Sequence, residues 1–165
     1  MLTVNNLVGF GSGGSGGIST KWRLAMSGKA ETGGNTYSVP ECEMRATAGG
    51  ADQCIGGTAT ASSTWVPYPE NYSASYAFND SLLYGYWSSY YLNASTNPNP
   101  IYLQYEFTSP VSVTQVALFN GVGGYGGVLS AGPSISLQYW DGVEWVTVAT
   151  WIDQPNNTDL VLNVE

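Results

Sequence analysis

The sequence predicts an all-β fold, a sandwich or jelly roll of about eight strands with an extended N-terminal arm. Three observations predict it. Apolar and polar residues alternate in several runs with the period of two that a half-buried strand requires. Asp141-Gly142 lies between two of these runs and is a strong short hairpin signal. The chain has no long amphipathic helical pattern to compete with these strands.

Taken in order, residues 1–20 stand apart from the rest. The mildly apolar peptide MLTVNNLVGF is followed by GSGGSGG, Gly11 to Gly17, a flexible linker composition. One reading is a disordered tail. The sharper one is an arm whose Leu2, Val4, Leu7, Val8 and Phe10 dock on a partner. Residues 21–165 then form the β domain. Trp22, Leu24 and Met26 alternate with Arg23, Ala25 and Ser27. A turn at 33–35 precedes a strand region broken or started at Pro40, and residues 49–57 are loop. TATASSTW (58–65) alternates small residues, and residues 71–78 have room for one helical turn. Ile101, Leu103, Tyr105 and Phe107 share one strand face, and residues 111–119 alternate likewise. SISLQYW (134–140) meets VEWVTVATW (143–151) across the Asp141-Gly142 turn, and LVLNV (160–164) is the last strand.

Composition narrows the function. Of 165 residues only 10% are charged, and the net charge is −8. The four cations are Lys21, Arg23, Lys29 and Arg45. They are too few to neutralise a phosphate backbone, which excludes nucleic acid and anionic membrane surfaces. Histidine is absent, so imidazole catalysis and His-ligated zinc are excluded. Cys42 and Cys54 suit either a disulfide or two buried thiols. No apolar run approaches the ~20 residues of a membrane span, so no membrane insertion is expected. Residues 1–10 carry no basic signal-peptide region. An extracellular composition without a signal suggests release by cell lysis, as part of a phage particle.

Three stretches in this order carry a resemblance: WRLAMS…YSVPECEMRATAGGADQC, GGTATASS…SASYAFNDS…YW and PIYLQYEFTSPVSVTQVALF. They resemble the discoidin-like family, the coagulation factor type C domains with a galactose-binding-like jelly roll. Ala77, Phe78, Asn79, Asp80, Ser81 and Trp87 match its Ala-Phe-Asp-Gly-Asn…Trp segment loosely. Ile101, Tyr105, Glu106, Phe107 and Pro110 match its following strand more closely. The resemblance spans roughly residues 20–151, and its variant looks like domains of tailed-phage structural proteins. It implies non-catalytic binding of glycans, lipids or proteins through loops at one end of the barrel. It also implies that Trp87 is a core residue. A structural Ca²⁺ would be held near Asn79, Asp80 and Ser81, although Asn79, Asp80 and Ser81 replace the family's Asp, Gly and Asn.

The residues themselves offer two aromatic segments. Trp65, Tyr68 and Tyr72 lie in a loop stiffened by Pro67 and Pro69. Aromatic rings stack on the apolar faces of sugars, and a stiff loop loses little entropy on binding. Tyr84 and Tyr86 are further ligand candidates, whereas Tyr90 and Tyr91 suit a subunit contact equally well. Glu41 and Glu43 share a strand face and read as adjacent exposed charges rather than a hydrolase pair across a scissile bond. The Gly-rich stretches lack the Lys-Ser/Thr and strand–helix setting of a phosphate loop. The expectation is a non-enzymatic virion accessory protein, multi-copy, with other virion proteins and a host-surface glycan as partners. A structural capsid-decoration or tail-associated subunit is the alternative.

Overall fold

The computed structural model describes residues 3–4, 17–31, 35–66, 71–83, 85–93, 100–121 and 129–165. The chain is all-β. One sheet runs in the order β1 (Thr3–Val4), β11 (Leu160–Asn163), β8 (Gln115–Phe119), β4 (Glu41–Arg45). The other runs β10 (Trp145–Trp151), β9 (Ser134–Trp140), β2 (Ile18–Ser27), β7 (Ile101–Ser112), β5 (Thr58–Ala61). β3 (Ser38–Val39) and β6 (Trp87–Ser88) form a small third ladder, and a five-residue 3₁₀ helix spans Ala74–Phe78. Every pairing is antiparallel except that of β1 with β11. Among the described residues no helix is long and apolar enough to cross a membrane.

The alternation read from the sequence sets the faces. Trp22, Leu24 and Met26 of β2 are fully buried, as are Leu103 of β7 and Ile135 and Leu137 of β9. They join Cys42 and Met44 of β4, Val116 and Leu118 of β8, and Leu160 and Leu162 of β11 in one core. A single core fed by inner faces of both sheets is what makes the pair a sandwich.

Three details differ from the sequence reading. The run 111–119 divides at Val113–Thr114, with β7 ending before the break and β8 starting after it. The β9–β10 hairpin falls at Asp141-Gly142, but Trp140 pairs with Trp145 across a four-residue loop. There Oδ1 of Asp141 accepts the backbone N–H groups of Val143 and Glu144, at 2.7 and 2.8 Å, and holds Val143 out of the strand. β2 begins at Ile18, inside the segment assigned to the arm. Of the arm itself, Thr3 and Val4 pair with Leu160 and Val161 at the sheet edge. Leu2, Leu7, Val8 and Phe10 lie outside the described residues.

Two devices hold the sandwich shut. On one side β4 and β5 are the edge strands of the two sheets, and the 3₁₀ helix packs against both. It buries Ala74, Ala77 and Phe78 there, the Phe78 ring 4.9 Å from that of Tyr105. On the other side Trp151 of β10 donates its indole N–H to the Asn163 carbonyl of β11, at 3.1 Å. A second tryptophan manages a bulge. Ser19 pairs with Val111 and Lys21 with Glu106, so residues 107–110 stand opposite Thr20 alone. The Trp22 indole N–H reaches the carbonyls of Ser19 and Val111, 3.2 Å from each, and ties both strands beyond the bulge.

Trp22→Phe keeps a ring in the core but leaves those two carbonyls without their donor. A loss of about 2 kcal/mol is expected from the lost bonds and the smaller ring, or roughly 5 °C in Tm for a domain of this size. Calorimetric or urea unfolding checks it, and an unchanged midpoint would remove the clamp from the account.

Candidate functional site

The 3₁₀ helix is flanked in sequence by both aromatic segments, and it brings them to one place. The Trp65 ring lies 5.9 Å from Tyr72 and 4.6 Å from Tyr91, centroid to centroid. Tyr72 meets Tyr86 edge-on at 5.0 Å, and Tyr91 meets Tyr90 at 5.6 Å. Tyr86, Tyr72, Trp65, Tyr91 and Tyr90 therefore form one chain of rings. Tilted and edge-on contacts at these distances are favourable through the ring quadrupoles. Three of the sequence-predicted ligand residues, Trp65, Tyr72 and Tyr86, are brought together. Tyr68 and Tyr84 lie outside the described residues. Tyr90 and Tyr91, read from sequence as equally suited to a subunit contact, stand at the outer end of the chain, 40% and 36% exposed. Val66 and Leu83 are also exposed, each at 59%.

Backbone hydrogen bonds fix the two segments to each other. Trp65 N–H donates to the Ser88 carbonyl at 2.8 Å, and Ser88 N–H to the Tyr72 carbonyl at 3.4 Å. Tyr90 N–H donates to Oγ of Ser63, and the Trp87 indole N–H to the Ser63 carbonyl, at 3.2 and 3.1 Å. Trp87 is fully buried, which suits the core role its place in the sequence implied. Ser89 N–H donates to the Tyr37 carbonyl and its Oγ accepts from Tyr37 N–H, so β3 backs the same loop. These rings stand on a braced platform.

Electrostatically the cluster is neutral and partly dry. Burial, with the hydrogen bond to Tyr72, pushes the Tyr86 phenol up to about 12, so it stays protonated and can donate. The Trp65 indole nitrogen is buried and has no hydrogen-bond acceptor, alone in this among buried side-chain N and O atoms of the described residues. Trp22, Trp87 and Trp151 all satisfy theirs. A buried N–H left without an acceptor costs about 1–3 kcal/mol. Sequence reading pointed to these rings by type and spacing. The unpaired N–H depends on three-dimensional packing and has no sequence signal.

The segment Asn79-Asp80-Ser81, expected from the resemblance to lie at a Ca²⁺ site, is a tight turn. Its side-chain oxygens serve the backbone: Asn79 Oδ1 accepts from Ser81 N–H, and Ser81 Oγ from Leu83 N–H. Asp80 takes a left-handed φ of 55°. Among the described residues no group of three acidic, His or Cys side chains could hold a metal ion. The segment folds over Glu41 instead. Glu41 is therefore buried rather than exposed, which corrects its reading as a surface charge. Its Oε1 accepts from Cys42 N–H and its Oε2 from Ser81 N–H. Burial, with Asp80 nearby, pushes its carboxyl up to about 8 against those bonds. Glu43 instead is held by Arg45, 2.5 Å away. The two carboxylates serve separate structural tasks. Cys42 and Cys54 are free, buried thiols, and burial pushes both up.

No family model, curated protein or solved structure matches the chain.

Two outcomes follow from this geometry. Trp65→Phe removes an unpaired donor and is expected to leave stability within about 1 kcal/mol of the parent, whereas Trp87→Phe strands the Ser63 carbonyl and is expected to cost at least that much. Paired urea titrations of the two variants decide it; equal losses would contradict the distinction. Glu41 binds its proton more tightly folded than unfolded, so its contribution is full below about pH 4.5 and is lost as pH rises through about 8. Urea midpoints between those pH values should fall more steeply for the parent than for Glu41→Gln. Parallel curves would show that Glu41 titrates normally.

Proposed function

We propose that the protein is a non-enzymatic virion accessory protein whose discoidin-like jelly-roll domain holds a host-surface carbohydrate on the aromatic cluster. The N-terminal arm anchors it to a larger particle in many copies. The observation that carries this reading is the convergence of Trp65, Tyr72, Tyr86, Tyr90 and Tyr91 on a hydrogen-bonded platform outside the closed core. Such rings present flat faces for sugar C–H groups and phenols for sugar hydroxyls. The Trp65 N–H is unpaired but buried, so a ligand oxygen would relieve its cost only where the groups covering it move aside on binding. Rigid placement lowers the ordering cost, and many copies on one particle would raise weak single-site binding to useful avidity. No step of this function requires bond breaking.

A second reading has its own support. Exposed Val66 and Leu83 lie in the two aromatic segments. With Tyr90 and Tyr91 they would also suit a protein contact, as in a capsid-decoration or tail-associated subunit.

Multivalent display of the domain on a glycan array separates the two. Binding should be lost with Tyr91→Ala and Trp65→Ala, each truncation costing about 2 kcal/mol or more as an aromatic hot spot does. Ile55→Ala, exposed in the loop before β5, should change nothing. Particles that lose the protein on Tyr91→Ala, with no glycan signal from the parent, would establish the structural reading instead.

A further inference from the structure

The outward face of the five-stranded sheet carries a second constellation, apart from the aromatic loops. Strand register places Thr60 (β5), Gln104 (β7), Arg23 (β2), Gln138 (β9) and Thr147 (β10) directly opposite one another in a single row. With strands about 4.8 Å apart, the row is about 19 Å long. Arg23 stands at its centre. Its guanidinium carbon lies 4.2 Å from the centroid of the Trp145 ring and 5.0 Å from that of Tyr102. Its Nε donates to Oε1 of Gln138 at 2.7 Å, and Gln138 in turn donates to Thr147. Trp140, paired with Trp145 across the hairpin, adds a ring 5.6 Å from it.

Among the described residues Arg23 is held in position but is not neutralised. Lys21 faces Glu106 at 3.5 Å, and Arg45 binds Glu43. Lys29 donates to the Thr36 carbonyl and to Ser130 Oγ. Among the described residues Arg23 makes no ion pair, although the sequence holds twelve Asp and Glu residues. Its two terminal nitrogens have no hydrogen-bond partner among the described residues. A guanidinium fixed through Nε and ring faces presents its remaining donors as a fork, the geometry that takes a carboxylate bidentately. The indole rings beside it suit a sugar ring, and the amides and hydroxyls of the row suit its hydroxyls.

We propose that this face is a binding site for a carboxylate-bearing sugar, with Arg23 taking the carboxylate, Trp140 and Trp145 the ring, and Gln104 and Gln138 the hydroxyls. It is a different surface from the aromatic loops, so either site can exist without the other. Charge complementarity selects the ligand class: an uncharged sugar leaves the guanidinium fork unused.

The test is ¹⁵N NMR titration of the full chain with oligogalacturonate and with its methyl ester. The acid should shift the amides of β2, β9 and β10 and the Arg23 Nε–H, and the ester should bind at least tenfold more weakly. Arg23→Gln should weaken the acid at least tenfold. Arg23→Lys, which keeps the charge but not the fork, should weaken it several-fold, with a native-like spectrum as the check on folding. Trp65→Ala should leave these shifts intact, which separates this site from the loop cluster. Failure of the acid to shift this face at millimolar concentration, equal binding of acid and ester, or full affinity in folded Arg23→Gln would each overturn the proposal.

Discussion

A two-sheet sandwich that is not a closed barrel leaves open sides, and the way this chain closes one of them governs the rest. β4 and β5 each end a sheet, and the gap between them is filled by the 3₁₀ helix with Phe78 set against Tyr105. Burying Ala74, Ala77 and Phe78 at that position removes apolar surface that the sheets alone would leave wet. The plug comes between β5 and β6 in the chain, so the segments entering and leaving it must lie side by side. Those segments carry Trp65 and Tyr72 before the plug and Tyr86, Tyr90 and Tyr91 after it. The aromatic cluster is thus a consequence of how the core is sealed.

The same constraint explains Glu41. The chain leaving the plug folds directly over β4, and the carboxylate accepts the Ser81 N–H that this turn would otherwise strand. Burial makes that carboxylate electrically costly, the charge of Asp80 adds to it, and the cost appears as a carboxyl pushed up to about 8. Tryptophans do parallel work elsewhere in the fold. Trp22 clamps the β2–β7 bulge, Trp151 links the sheets and Trp87 fastens residue 63 beneath the cluster, each through its indole N–H. Trp65 has the same chemistry without a partner, which marks it out from the structural three.

Much of the fold was legible in the sequence because burial on one side of a strand imposes a period of two. Ile101, Leu103, Tyr105 and Phe107 all point inward as their spacing required. The hairpin at Asp141-Gly142 was legible for its turn residues, but its length was not, because the Asp141 side chain bonds two amides and adds residues to the loop. That Asn79 and Ser81 side-chain oxygens cap backbone N–H groups of their own turn was not legible, because oxygen-bearing residues serve turns and metals alike. The site was half legible: ring types marked both segments, while their convergence depends on the plug. The row across the outer sheet face could not be read at all, since it joins residues as distant as Arg23 and Thr147 through register alone.

A Trp65 cluster that holds a ligand, as proposed, must change at the Trp65 indole when the ligand binds. The most direct measurement is the indole ¹⁵N–H spectrum of the protein, with each tryptophan assigned by substitution, during titration with glycans selected on an array. The Trp65 signal is expected to move downfield as the groups covering its N–H shift and it gains an acceptor, while those of Trp22, Trp87 and Trp151 stay in place. A Trp65 signal that remains fixed while a bound glycan shifts other residues would contradict it.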